Sequence, residues 1–130
     1  MSAAVGSLPM RELVRGGPRV PIVGFGAEAL GRAGRQYADA ERTLRAVVDA
    51  GVSLIDTASS YGNSERFVGQ AIEPIRDAVT VVTKCGWTSA FEPRWTPAEI
   101  IETVNASLEA LRTDRVDVLL LHSCPRETLE

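Results

Sequence analysis

The chain has 130 residues, with 17 acidic and 14 basic side chains for a formal charge of −3; 45% of residues are hydrophobic and 24% charged. That length predicts one domain that can bury a core without disulfides or metals, and the composition excludes wholesale disorder. The charge balance offers no basic footprint for nucleic acid, and no apolar run approaches the roughly 18 residues needed to span a bilayer.

The first twenty residues are small, then include Arg11, Glu12 and Arg15, without the apolar stretch of a secretory signal. Cys85 and Cys124 are too few and too far apart for a disulfide framework, so a cytoplasmic protein with free thiols is expected. The turn sequence Gly16-Gly17-Pro18 separates two short extended runs, Arg11–Val14 and Arg19–Val23, and predicts a hairpin over 10–23. Gly24-Phe25-Gly26 follows and marks a tight backbone approach. A helix is expected over 39–50, with Asp39 as its cap, Leu44, Val47 and Val48 on one face and Gly51 at its end.

Val52–Ile55 reads as a short strand ending at Asp56. Residues 64–72 read as a helix that Pro74 stops, with Val68, Ala71 and Ile72 on one side. Val79–Thr83 is a β-branched strand ending at Lys84. Thr96-Pro97-Ala98-Glu99 has the pattern of a capping box, and Ile100, Val104, Leu108 and Leu111 give the stripe of the helix behind it. Val116–Leu121 ends at His122 and is so apolar that it should be covered on both faces. Pro125–Glu130 reads as the opening of a fourth helix. Alternating strands and helices predict parallel βαβ units with the helices outside the sheet.

Asp56, Lys84 and His122 are each the first polar residue after a buried strand. In a parallel sheet they emerge together at the carboxyl ends, where such folds place their active sites. Tyr61 lies in the loop over the same face. A phenol is a weak acid, and an ammonium beside it stabilises the phenolate. A carboxylate keeps the ammonium charged, and an imidazole can orient a carbonyl oxygen. This set can protonate a carbonyl oxygen while hydride reaches carbon, and the hydride requires a nicotinamide or flavin.

Residues Val52 to Gly62, VSLIDTASSYG, resemble the second-strand signature of the aldo/keto reductases. Asn63–Gly69 is similar to that family's continuation into its second helix, and Thr83-Lys84 and Leu119–His122 are similar to its Lys and His strands. The hairpin with Gly24-Phe25-Gly26 resembles its barrel-plugging hairpin and first strand. The resemblance implies a (β/α)8 barrel that reduces aldehydes or ketones to alcohols with NADPH. Tyr61 would then be the proton donor and Lys84 the cation that supports it. Asp56 would hold Lys84, and His122 would orient the carbonyl. It also implies that Gly26 and Ala27, with Asp56, lie by the nicotinamide, and that Trp87 rims the substrate pocket.

Such a barrel needs about 250 residues and eight strands, whereas four are expected here. The chain therefore reads as the N-terminal half of an aldo/keto reductase barrel over 1–130. The plug hairpin would occupy 10–23, and 24–130 would hold the first four βα units, cut at the start of the fourth helix. Most cofactor contacts of the family fall in the other half, so the chain alone is expected to be inactive. Self-association or a missing C-terminal half is the expected partner, because a half-barrel exposes two sheet edges.

A non-catalytic half-barrel or association module is the alternative. A lesser one is a Rossmann-type dinucleotide-binding domain, since Gly24 to Ala29 also fits G-x-G-x-x-A with Asp56 as the ribose carboxylate. Singly, Asp56 could be a helix cap, Lys84 a solvated strand end, Tyr61 a loop anchor and His122 a structural histidine. Their joint occurrence on one face argues for a site. No metal is expected, because Cys85, Cys124 and His122 fit no zinc spacing. Phe91 and Trp95 flank the loop before the third helix; packing is expected of them, with substrate contact as the alternative.

Overall fold

The computed structural model describes residues 7–130. The first six residues of the stretch read as lacking a signal lie outside the described residues. Strands β1 (Met10–Glu12) and β2 (Arg19–Pro21) form the expected hairpin, each strand ending two residues before its expected run does, with Met10 opposite Pro21. Its turn closes through Leu13 N–H to the Pro18 carbonyl at 3.0 Å.

The other strands are β3 (Phe25–Gly26), β4 (Leu54–Asp56), β5 (Thr80–Cys85) and β6 (Val118–Leu121). They form one parallel sheet in the order β3-β4-β5-β6, so spatial order equals chain order. Helices α1 (Tyr37–Asp49), α2 (Ser64–Ile72) and α3 (Pro97–Ala110) connect them, and α4 (Arg126–Leu129) follows β6. Sequential parallel strands joined through helices are the pattern of a (β/α)8 barrel, of which four units are present. A Rossmann sheet would reverse its strand order around the first strand, and its glycine fingerprint would open directly into a helix. Here Gly26 leads into a single 3-10 turn, Glu28–Gly31, and α1 starts only at Tyr37. The Rossmann reading is therefore overturned.

The core lies between the sheet and the helices, where Ile55 and Val81 meet Leu44, Phe67, Val68 and Ile72. Strand alternation separates this face from the concave one. Ile55, Val81 and Thr83 point to the helices, and Leu54, Asp56 and Val82 line the other side. On that side a groove of about 660 Å³ holds Leu54, Val82, Val118 and Leu120 opposite Leu13, Val14 and Pro18 of the hairpin turn.

Helix α2 occupies 64–72 as expected, and the Thr96 capping box forms in full, with Glu99 N–H donating to Thr96 Oγ1 and Thr96 N–H to the Glu99 carboxylate. Asp39 is not the cap of α1. The helix begins two residues earlier because Tyr37 packs on Phe67 at 5.9 Å between ring centroids, and Asp39 instead pairs with Arg42. The β6 strand is not covered on both faces. Leu119, Leu120 and Leu121 are 42–44% exposed, because β6 is the edge of the described sheet.

Candidate active site

The carboxyl ends of β4, β5 and β6 bring Asp56, Lys84 and His122 to one end of the sheet. Lys84 Nζ donates to Asp56 Oδ1 at 2.5 Å and to the Thr57 carbonyl at 2.8 Å. The ammonium is largely enclosed, with its side chain 14% exposed, while that of Asp56 is 40% exposed. Nζ also sits 4.9 Å from the centre of the Tyr61 ring. On its other side Tyr61 meets His122 edge to face, with centroids 5.5 Å apart. All four expected residues thus form one connected cluster. Its Lys and His are the only ones in the chain, where thirteen of fourteen basic residues are arginine.

His122 is held from three directions. Ser60 Oγ lies 3.2 Å from its Nδ1, the Trp87 indole N–H donates to its carbonyl, and its own N–H donates to the Cys85 carbonyl at 2.9 Å. Burial, helped by the nearby Lys84 ammonium and opposed by Asp56, pushes its pKa below the usual histidine range. The ring is therefore neutral at neutral pH. Where the Ser60 hydroxyl donates to Nδ1, the neutral ring carries its hydrogen on Nε2.

Protonating such a ring opposes folding, since the unfolded chain takes the proton first. Stability should hold above about pH 6.5 and fall below it. His122→Gln should flatten that fall when urea unfolding is followed across the range. Parallel declines in both proteins would contradict the neutral assignment.

The cluster opens on a cavity of about 420 Å³ lined by Ser60, Tyr61, Gly62, His122, Arg32 and Phe91. A smaller space of about 170 Å³ lies between Trp87, Phe91, His122 and Ser123, which puts Trp87 beside the same mouth. Phe91 is 70% exposed and holds a left-handed φ of 58°. It therefore belongs to the cavity wall, the alternative to the packing expected of it, whereas Trp95 does pack, edge-on to Trp87. Ser59 braces the lysine strand by donating to the carbonyls of Lys84 and Trp87. Ser59 and Ser60 are contributors that sequence reading missed, although they lie inside the stretch between Asp56 and Tyr61.

The expected cofactor residues differ from one another. Gly26 is exposed, and a Cβ there would meet nothing within 4 Å. Ala27 is fully buried; its N–H donates to the Asp56 carbonyl, and its own carbonyl accepts from Ser64. Cys85 is buried, and burial pushes its thiol up, away from reactivity. Among the described residues no group of His, Cys, Asp or Glu could hold a metal, and no helix is long and apolar enough to cross a membrane.

The profile of the aldo/keto reductase family matches residues 22–129. The chain belongs to the aldo/keto reductase family. It is 35% identical over 106 residues to the methylglyoxal reductase YeaE of Escherichia coli, an alignment covering 79% of this chain and 35% of that protein. It is 32% identical over 123 residues to the L-galactose dehydrogenase of Arabidopsis thaliana, covering 88% of this chain and 38% of that one. Among solved structures, the holo form of an aldo-keto reductase from Bacillus halodurans superposes with a TM-score of 0.82 at 28% identity, over 92% of this chain and 42% of that chain. An aldo/keto reductase from Klebsiella pneumoniae, in complex with NADP and acetate, gives 0.70 at 36%, over 80% and 36%. This aldo/keto reductase chain thus spans well under half the length of the curated relatives it matches.

Proposed function

We propose that this chain supplies the proton-transfer machinery of an NAD(P)H-dependent oxidoreductase that reduces aldehydes or ketones to alcohols. The observation that carries the reading is the unbroken cluster Asp56–Lys84–Tyr61–His122 at the carboxyl ends of parallel strands. Asp56 holds the Lys84 ammonium in place. The ammonium, against the Tyr61 ring, favours the charge that develops as the phenol releases its proton. The neutral His122 donates from Nε2 to the carbonyl oxygen and orients it, and Tyr61 delivers the proton to that oxygen. Trp87 and Phe91 face the substituents of the carbonyl carbon.

When bound, the nicotinamide supplies hydride. The residues present fit its reactive end: the surface over Gly26 is open, and Asp56, in register with Gly26, carries the exposed carboxylate beside it. A structural neighbour is solved with NADPH and a relative is named as an NADH-specific methylglyoxal reductase, so the reading covers both nicotinamides, with NADPH the first to test.

The relatives' greater length and the open β6 edge support the further reading that additional strands complete the cofactor site. Titrating the 130-residue chain with NADPH, followed by cofactor fluorescence, tests both parts. Saturation at micromolar cofactor is expected if self-association completes the site. No binding at millimolar cofactor would mean that the catalytic face lacks its hydride source in this chain. The exposed β6 leucines favour the second reading, a half-barrel whose role is association, and that outcome would support it.

A further inference from the structure

Glu65 is a charged residue that the proposed chemistry does not use, yet it is among the more buried side chains of the protein, at 7% exposure. It stands in the first turn of α2, four residues after Tyr61. Its Oε1 accepts from Thr83 Oγ1 at 2.5 Å, and Ser107 of α3 lies near the same carboxyl. Thr83 and Ser107 are themselves buried, at 1% and 2% exposure. Thr83 is the residue immediately before Lys84. The carboxyl thus bridges the helix that begins behind the Tyr61 loop and the strand that carries the ammonium.

The neighbouring residue makes the same kind of connection to the other strands. Ser64, with no exposure, donates to the Ala27 carbonyl past the end of β3 and shares a hydrogen bond with Thr57 Oγ1 past the end of β4, both at 2.8 Å. One helical turn is therefore pegged to three strand ends through buried side chains. Tyr61 is tied into that turn, because Ser64 N–H donates to its carbonyl at 3.0 Å.

An apolar side chain could fill the space of Glu65 without removing a carboxyl from water. Buried polar groups with all partners in place add little net stability over an apolar replacement of the same shape. What they add is direction, since the bond forms in one geometry only. Burial pushes the Glu65 carboxyl above the usual carboxylate range and its hydroxyl neighbours offset that only in part, yet in either protonation state the carboxyl keeps an oxygen that accepts from Thr83. We propose that Glu65 is a positioning residue: through Thr83 it fixes the Tyr61 loop against the β5 strand and so sets the Tyr61 ring on the Lys84 ammonium. The proposal rests on the reading of Tyr61 and Lys84 as the proton-transfer pair.

The chain is well suited to the test, because Lys84 is its only lysine and it has two tyrosines. With labelled lysine and tyrosine, a nuclear Overhauser cross-peak between the Lys84 ε-methylene and the Tyr61 ring reports the contact directly. The Tyr37–Phe67 contact, whose second ring lies on the same helix, reports whether α2 remains packed. Wild type and Glu65→Gln, which keeps an acceptor for Thr83, should show both contacts. Glu65→Leu and Thr83→Val should lose the Lys84–Tyr61 cross-peak and keep Tyr37–Phe67. The proposal is overturned if either variant keeps the site cross-peak at wild-type strength. It is equally overturned if both variants lose both contacts, which would make Glu65 an ordinary part of the packing, or if wild type lacks the cross-peak. Turnover of Tyr61→Phe decides the underlying reading separately: full activity there, with the cross-peak pattern as expected, would remove the proton-donor role and leave the clamp.

Discussion

Tyr61→Phe should reduce carbonyl turnover by about 10²–10⁴-fold, the usual contribution of a positioned general acid. In transition-state terms that is about 3–5 kcal/mol. The substitution removes one atom. The ring that meets His122 at 5.5 Å and carries Lys84 at 4.9 Å over its face is retained, so packing and the ion pair to Asp56 should persist. Cofactor affinity should therefore remain close to that of the unsubstituted protein, and the loss should fall on kcat. The measurement belongs in a complete barrel, for example a chimaera in which this chain replaces the matching stretch of the Klebsiella pneumoniae reductase. Turnover within tenfold of the unsubstituted chimaera would move the proton-donor role away from Tyr61, with His122 the next group to examine.

The second large effect is expected at a glycine beside the same loop. A Cβ on Gly31 would lie 1.8 Å from the Tyr61 carbonyl oxygen and 2.6 Å from the Ser64 nitrogen. Both obstacles are backbone, and the Gly31 carbonyl is itself bonded by Asn63 N–H at 3.1 Å, so neither side can yield by rotating a side chain. Gly31→Ala should cost roughly 1–3 kcal/mol or more, in the manner of overpacked cores, and should push the Tyr61 loop away from the strand ends. Gly26→Ala is the natural comparison, because its Cβ enters open space; its stability should stay within about 0.5 kcal/mol of wild type. Urea unfolding of the two variants checks this. Equal stability would mean that the 3-10 turn relaxes far more readily than its packing implies.

The parts of this protein that sequence shows well are those governed by neighbours along the chain. Pro74 ends α2 and Thr96 with Glu99 starts α3, since each acts within one turn of itself. The proposed catalytic set is legible for the same reason: Asp56, Lys84 and His122 each close or follow an apolar run, and parallel topology does the rest. What sequence conceals is set by partners far away. The partner of Ser60 is His122, 62 residues on, and the partner of Glu65 is Thr83 on another strand. A glutamate next to an arginine on a helix reads as solvated face, and only the packing of three elements shows it to be enclosed. Likewise the apolar content of β6 says what the strand could bury, whereas exposure depends on whether another strand stands beside it. Composition carries a signal of its own. A chain with thirteen arginines and a single lysine places that lysine where a compact ammonium is wanted in place of a planar fork.

Strand order that follows chain order has a consequence for how such a molecule can be enlarged. Each strand is laid against the one before it, and the side chains of the cluster come from β4, the loop after it, β5 and the residue just past β6. Further βα units can then accrete at the outer side of β6 without threading between members of the cluster. An insertion between β4 and β5 would separate Asp56 from Lys84. The architecture is thus modular in one direction only: it tolerates growth at its margin and resists interruption at its centre.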